Sequence, residues 1–245
     1  MDGRDLLLEL RTRLIERADP ARAAAQQAYM KSSMPYHGVT NPQVTALCKD
    51  TFSRYPFASA AAWRADALGI WRGATHREER YAALELTGHR KARVLQGLRA
   101  TPRAEPPPDA PRLAAQAMVV YEELVVTGAW WDMVDVVASN RIGPLLHEHR
   151  ALVAPIMRQW IAGDDLWKRR AAIICQIGLG ADTDTVLLME AIEPALPEKV
   201  FWLRKAIGWA LRAYARTDPD WVRATVEDLG PRLSGLSRRE ALKHL

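Results

Sequence analysis

Val200–Arg216 reads VFWLRKAIGWALRAYAR, and the period of this stretch decides the fold class. Leu203, Ile207, Leu211 and Tyr214 recur at helical spacing and form one apolar stripe, as a helix packed on a core requires. Trp202, Lys205, Trp209, Arg212 and Arg216 follow at steps of 3, 4, 3 and 4, a second stripe made of aromatics and cations. Interleaved rings and positive charges suit a nucleic-acid backbone. The same pattern also serves as a cation–π face that only stabilises the helix, and the spacing weighs the two about evenly. Phe201 lies near this stripe and serves either side.

Working outward, helical periodicity recurs and no alternating strand with hairpin chemistry interrupts it. Asp5–Arg17 carries leucines at 6, 7, 8, 10 and 14, and Pro42–Arg54 follows a Thr-Asn-Pro start suited to opening a helix. Further helices are expected near 58–72, 76–95, 111–126, 130–139, 143–161, 166–178, 183–194, 199–215, 219–229 and 237–245. Breaks fall at Gly, Pro or Asp, as at Gly73, Pro102, Gly128, Gly163-Asp164 and Gly230-Pro231. Helix pairs of about 35–45 residues are in the range of HEAT and armadillo repeats, with a compact helical bundle as the alternative. The proline-rich Ala100–Pro111, ATPRAEPPPDAP, reads as an extended connector inside one domain spanning 1–245.

Composition bounds the class. The chain has 245 residues, 49% hydrophobic and 26% charged, enough for a substantial core without staples. Two cysteines, Cys48 and Cys175, make no disulfide framework and no zinc motif. Charges break up the N-terminal MDGRDLLLELRTRLIERADP, so it reads as neither signal peptide nor membrane span, and a cytoplasmic, monomeric protein is expected. The net charge of +5 permits nucleic-acid binding without requiring it. Nine tryptophans against three phenylalanines favour sites that need a large face with a polar edge.

Two other segments carry chemistry. In Gly128–Gly143, GAWWDMVDVVASNRIG, Trp131 and Asp135 share a helix face, while Trp130, Met133, Val134 and Val137 form the core-facing band. A carboxylate against an aromatic wall attracts a cation, although a solvated Asp beside a half-buried Trp is the commoner outcome. In Asp164–Gly178, DDLWKRRAAIICQIG, the two acids suit a helix start. Arg170 points near the apolar band and needs a carboxylate or a phosphate, whereas Lys168 and Arg169 are read as facing solvent. His147-Glu148-His149 places its imidazoles on different sides of a helix, a poor metal pair, and no metal or cofactor is expected. Cys175, among apolar residues, reads as a buried inert thiol. No phosphate loop, dinucleotide fingerprint, metalloprotease helix or serine elbow is present.

Taken together, five segments resemble the DNA alkylation repair family of the AlkD type. They are Tyr29-Met30-Lys31 followed by Gly38-Val39 and an Asn-Pro helix start; Trp130 to Asp135; Trp167 to Ile173; Lys205-Ala206-Ile207-Gly208-Trp209 with Leu211-Arg212 and Tyr214-Ala215; and Ser237 to Ala241. The resemblance covers nearly the whole chain. It implies an all-α fold of HEAT-like repeats stacked into a curved solenoid, with a basic concave face around duplex DNA. It also implies a monofunctional glycosylase that hydrolyses the N-glycosidic bond of cationic alkylpurines, N7-alkylguanine and N3-alkyladenine, without enclosing the base.

Carried over by position, Asp135 matches the catalytic Asp, and Trp131 and Trp209 match aromatics that contact the lesion nucleotide. Arg170 matches an Arg that binds the DNA backbone near the lesion and supports catalysis, so the resemblance implies a catalytic set of Asp135, Trp131, Arg170 and Trp209. The candidate DNA-contacting set is Tyr29, Lys31, Thr40, Lys168, Arg169, Trp202, Lys205, Arg212 and Arg216. Thr40 departs from relatives that carry a larger amide at the contact to the opposite strand. Competing readings are a relative specialised for bulky natural-product adducts, a noncatalytic DNA-structure-binding protein and a protein-binding helical scaffold. Asp135 weighs against the noncatalytic reading, because an added carboxylate gains nothing on an anionic backbone.

Overall fold

A computed structural model describes residues 3–245, with side chains from Asp5 onward. Among the described residues there are fourteen α-helices and no strand. They are α1 (Gly3–Ile15), α2 (Pro20–Met30), α3 (Asn41–Ser53), α4 (Ala60–Gly73), α5 (Arg77–Gly88), α6 (Ala110–Gly128) and α7 (Trp131–Val137). After a π-helical turn at Ala138–Ile142 come α8 (Gly143–Glu148), α9 (Arg150–Ala162), α10 (Leu166–Ile174), α11 (Thr185–Ile192), α12 (Phe201–Tyr214), α13 (Pro219–Leu229) and α14 (Gly235–Ala241). Among these residues no helix is long and apolar enough to cross a membrane. The chain divides into two compact units, one ending at Val120 and one beginning at Tyr121, so the division falls inside α6.

Several boundaries depart from the periodic reading. Helix α2 is absent from it, although its signals are present: the Asp19 side chain accepts from Arg22 N at the N-cap and Pro20 opens the helix. Its sequence, PARAAAQQAYM, is mostly alanine and glutamine and buries only Met30, so no run of large apolar side chains marks a core-facing side. The expected helix 143–161 breaks at His149, whose backbone leaves the helical region. The expected 166–178 helix stops at Ile174, and Gln176 turns aside to bond Asp184 through both its carbonyl oxygen and its amide nitrogen. The 76–95 stretch ends its α-helix at Gly88 and continues as two 3-10 turns, and the last helix spans Gly235–Ala241 rather than 237–245.

In the first unit, Leu6, Leu10 and Leu14 of α1 are fully buried, and α1 packs on α4, where Trp63, Ile70 and Trp71 are also buried. The Tyr36–Val39 segment is pinned from α5. The Glu78 carboxylate accepts the backbone N–H groups of His37, Gly38 and Val39. The neighbouring Glu79 accepts a bidentate pair from Arg11, with further bonds from His37 Nε2 and Thr75 N. Gly38 has φ +84°, and a Cβ there would lie 2.1 Å from Asp19 O, so the Gly-Val pair is a backbone requirement.

In the second unit, α7 packs on α10, α10 on α12 and α12 on α14, while α9 and α11 pack on one another and on α10. Each member of the α7, α10, α12, α14 row contributes to the site described next, and α12 contributes several residues.

Candidate active site

Helix α7 delivers Asp135. Met133, Val134 and Val137 are fully buried on its core side, which leaves Asp135 on the opposite flank. The helix then passes into the π-turn, where Ser139 Oγ donates to Asp135 O at 2.6 Å. Such turns add a residue to the helical circuit and often sit at functional positions. At Gly143, just past the turn, a Cβ would stand 2.6 Å from Cys175 O, so a side chain there would push α10 away.

Helix α10 delivers Arg170. Asp165 caps it by accepting from Trp167 N and Lys168 N. Arg170 is only 1% exposed. Its Nε donates to Asp135 Oδ1 and its Nη2 to Asp135 Oδ2, both at 2.7 Å, and Nη1 donates to Trp202 O at 2.6 Å. The carboxylate partner required of a buried Arg is therefore Asp135, on the neighbouring helix. Burial pushes the Asp135 carboxyl above its ordinary range, opposed by the hydrogen bonds and charge of Arg170.

Helix α12 delivers Trp209 and the second stripe. Leu203, Ile207 and Leu211 are buried as expected, while Tyr214 is half-buried against the edge of Trp221. The Trp209 ring is surrounded by cations, with Arg170 Cζ at 5.5 Å, Arg212 Cζ at 5.8 Å and Lys205 Nζ at 6.0 Å from its centroid. Helix α14 supplies Glu240, which accepts from Lys205 Nζ at 2.6 Å and Arg212 Nη1 at 2.8 Å. Lys205 holds the Glu240 carboxyl below its ordinary range, with Arg212 adding to the effect. A shallow pocket of about 180 Å³ opens beside Trp209, lined by Ile177, Arg212, Ala213 and Arg216.

The structure brings Asp135, Arg170, Trp202, Trp209, Lys205 and Arg212 into one contiguous network. Trp131 follows directly at the start of α7 and is half-buried, and Arg216 is exposed. Two expectations are corrected, those for Trp130 and for the Lys168–Arg169 pair. Trp130 is not in the core band: it precedes α7 and packs against Trp167 and Trp202, with centroids 6.0 and 5.5 Å away. Lys168 and Arg169 do not simply face solvent. Lys168 pairs with Glu122 and lies over Trp160, and Arg169 pairs with Glu198. Lys205 and Arg212 are already neutralised by Glu240, because α14 docks directly on α12.

Tyr29, Lys31 and Thr40 belong to the first unit. Tyr29 is 79% exposed, Lys31 ends α2 in a left-handed conformation, and Thr40 caps α3 with its N–H and hydroxyl both donating to Gln43 Oε1. Cys175 is fully buried, its thiol pushed up to about 12 by burial.

The sequence reading missed Glu240, the Trp130–Trp167–Trp202 cluster and the buried Glu78–Glu79 pair. The cluster had a signal in the tryptophan count. Glu240 lies within the Ser237–Ala241 segment, where spacing alone gives no sign of which helix its carboxylate meets. Among the described residues, His37, His76 and Glu79 bring metal-ligand atoms within 4.8 Å of one another. The two imidazoles stack face to face at 3.8 Å, and Glu79 is taken up by Arg11, His37 and Thr75, so protein partners fill this cluster.

The model of the family described as DNA alkylation repair enzyme matches residues 10–245. A solved structure described as a predicted DNA alkylation repair enzyme from Enterococcus faecalis is similar to this chain, with a TM-score of 0.76 and 27% identity over 93% of this chain and 96% of that one. No curated protein matches the chain.

Proposed function

Because the chain belongs to the DNA alkylation repair enzyme family, we propose that it is a monofunctional glycosylase hydrolysing the N-glycosidic bond of cationic alkylpurines, N7-alkylguanine and N3-alkyladenine, in duplex DNA. The observation that carries this reading is a half-buried carboxylate, Asp135, held by two 2.7 Å bonds from Arg170 in a site walled by indoles. The row of α7, α10, α12 and α14 supports a HEAT-like stack in the second unit, with DNA lying against the face from which Asp135 and Trp209 project.

Alkylation makes the base a cation and a good leaving group, so little acid catalysis is needed. As the bond breaks, positive charge grows on the deoxyribose. The Asp135 carboxylate stabilises that charge and positions the attacking water, while Trp131 and Trp209 offer electron-rich faces to the sugar. The base leaves neutral with the bonding electron pair, water supplies the hydroxyl at the anomeric carbon, and the proton that water loses passes by way of the Asp135 carboxylate to solvent.

Arg170 takes a different part from a phosphate grip. With Nε, Nη1 and Nη2 bonded and 1% exposure, it acts as a positioning residue that aims the carboxylate. The basic contacts to DNA then fall to exposed groups such as Arg216 and, from the first unit, Lys31.

A second reading, action on bulky adducts, is favoured by the open pocket of about 180 Å³ beside Trp209. The deciding experiment follows free-base release from a duplex with one N7-methylguanine, alongside Asp135→Asn. Release is expected from wild type and a loss of about 10²–10³ from the variant, as when a preorganised charge is removed. Equal release by both proteins would remove Asp135 from the chemistry. No release from N7-methylguanine, with release from a bulky N7 adduct, would select the second reading. No release from either duplex would overturn the glycosylase.

A further inference from the structure

Glu240 stands outside every role given so far, yet two cations of the candidate DNA-contacting stripe end on its carboxylate. One oxygen takes Lys205 Nζ and the other takes Arg212 Nη1. Lys205 and Arg212 lie four residues before and three after Trp209 on α12, so one carboxylate ties together the turns on either side of that ring.

Glu240 is placed rigidly. A Cβ on Gly208 would meet Glu240 Cβ at 2.5 Å and Ser237 O at 2.9 Å, so α14 sits directly on the α12 backbone at the residue before Trp209. Ser237 is 1% exposed, and its Oγ donates to Arg204 O at 2.8 Å, fixing the same contact one turn along. The Glu240 side chain is 16% exposed, against 26% for Lys205 and 25% for Arg212, so the three groups form a partly covered knot.

We propose that Glu240 is a positioning residue with two linked effects: it occupies Lys205 and Arg212 where DNA phosphates would otherwise take them, and it thereby holds them as the flanks that orient Trp209. This rests on the glycosylase reading for Trp209 alone, since the counter-ion effect concerns DNA binding of any kind. An anionic backbone draws affinity from each cation it neutralises. A protein that reserves two such cations gives up non-specific affinity and keeps an ordered ring beside the reacting sugar. With three cations within 6.0 Å of one indole, a carboxylate that neutralises two of them also keeps that face attractive to a cationic sugar.

The test uses the full chain with the isosteric Glu240→Gln, which leaves the Gly208 contact in place, and Glu240→Asp, which keeps the charge but shortens the reach. Binding to undamaged duplex is titrated across salt, and release from an N7-methylguanine duplex is followed at saturating protein. For Glu240→Gln we expect tighter binding at low salt and a log–log salt slope steeper by up to about 1.8, the contribution of two freed cations. We expect its release rate to fall at least about threefold. Glu240→Asp is expected to keep the wild-type salt slope while losing release.

Glu240→Asp separates this from a merely structural role: undocking of α14 would free Lys205 and Arg212 and steepen the salt slope in that variant too, whereas an unchanged slope with lost release is what positioning predicts. An unchanged salt slope in Glu240→Gln overturns the counter-ion effect. Full release by Glu240→Gln overturns the orientation of Trp209. If wild type releases base from neither the N7-methylguanine duplex nor one with a bulky N7 adduct, the glycosylase reading fails and the salt slope alone decides the counter-ion effect.

Discussion

Asp135 and Arg170, 35 residues apart on neighbouring helices, meet through two parallel hydrogen bonds of 2.7 Å, and the guanidinium's remaining terminal nitrogen is anchored to the Trp202 carbonyl. This geometry ties the catalytic candidate on α7 to α10 and α12 at once. It also divides the labour between the two charges. Asp135 keeps an exposed edge, with 17% of its side chain accessible, whereas Arg170 keeps almost none. The residue available to a substrate is therefore the carboxylate, and the arginine works through it.

Removing the arginine should cost both stability and rate. Loss of one partner from a buried ion pair usually costs about 3–5 kcal/mol, and the exposed edge of Asp135 places Arg170→Ala near the lower end. Arg170→Lys keeps the charge but cannot bond both carboxylate oxygens and the Trp202 carbonyl in the fixed planar fork that Arg supplies. It should remain folded and lose at least about tenfold in base release. Calorimetry and single-turnover release separate the two variants. A Lys variant with wild-type release and weakened DNA binding would return Arg170 to a phosphate-gripping role.

The pH dependence follows from the same pair. Burial raises the Asp135 carboxyl, against the hydrogen bonds and charge of Arg170. The ionised form is the active one, so activity is full above the raised value and is lost as pH falls through it. The acid limb of single-turnover release should lie above the ordinary Asp value of about 3.9, and Arg170→Lys should move it higher. The measurement is confined to pH values at which the duplex and the fold remain intact. A limb at or below the ordinary value would mean that the titrating group is not Asp135.

Much of this site was legible because helices place residues by spacing alone. The Leu203, Ile207 and Leu211 stripe fixed which flank of α12 would be covered, and Trp209 followed on the other. Asp135 was separable from Met133, Val134 and Val137 by the same period. What spacing cannot reveal is which helix comes to lie opposite. The need of Arg170 for a partner was readable, but the partner's identity depended on α7 meeting α10. Likewise, Lys205 and Arg212 read as free cations until α14 brought Glu240 against them. Trp130 was misplaced for a related reason. It precedes the first turn of α7, so the helical period did not govern its direction. Helix α2 escaped because its caps were clear but its stripe was not.

The first unit offers a stability test independent of the chemistry. Burial pulls the Glu79 carboxyl up, but hydrogen bonds from Arg11, His37 and Thr75 N outweigh it and hold the group well below its ordinary range. A depressed carboxylate contributes stability that is present above its unfolded value, about 4.3, and is lost as pH falls toward the lower folded value. Glu79→Gln puts an amide NH2 against a guanidinium donor and breaks the bonds of a buried carboxylate whose Arg11 partner stays partly exposed, so a loss of up to about 3 kcal/mol is expected near neutral pH. That difference from wild type should shrink by about 1.4 kcal/mol for each pH unit below the unfolded value. Denaturant unfolding of the two proteins at pH 6 and pH 3, with each unit's transition resolved, measures it. A difference that does not change with pH would show that Glu79 acts through packing and not through its charge.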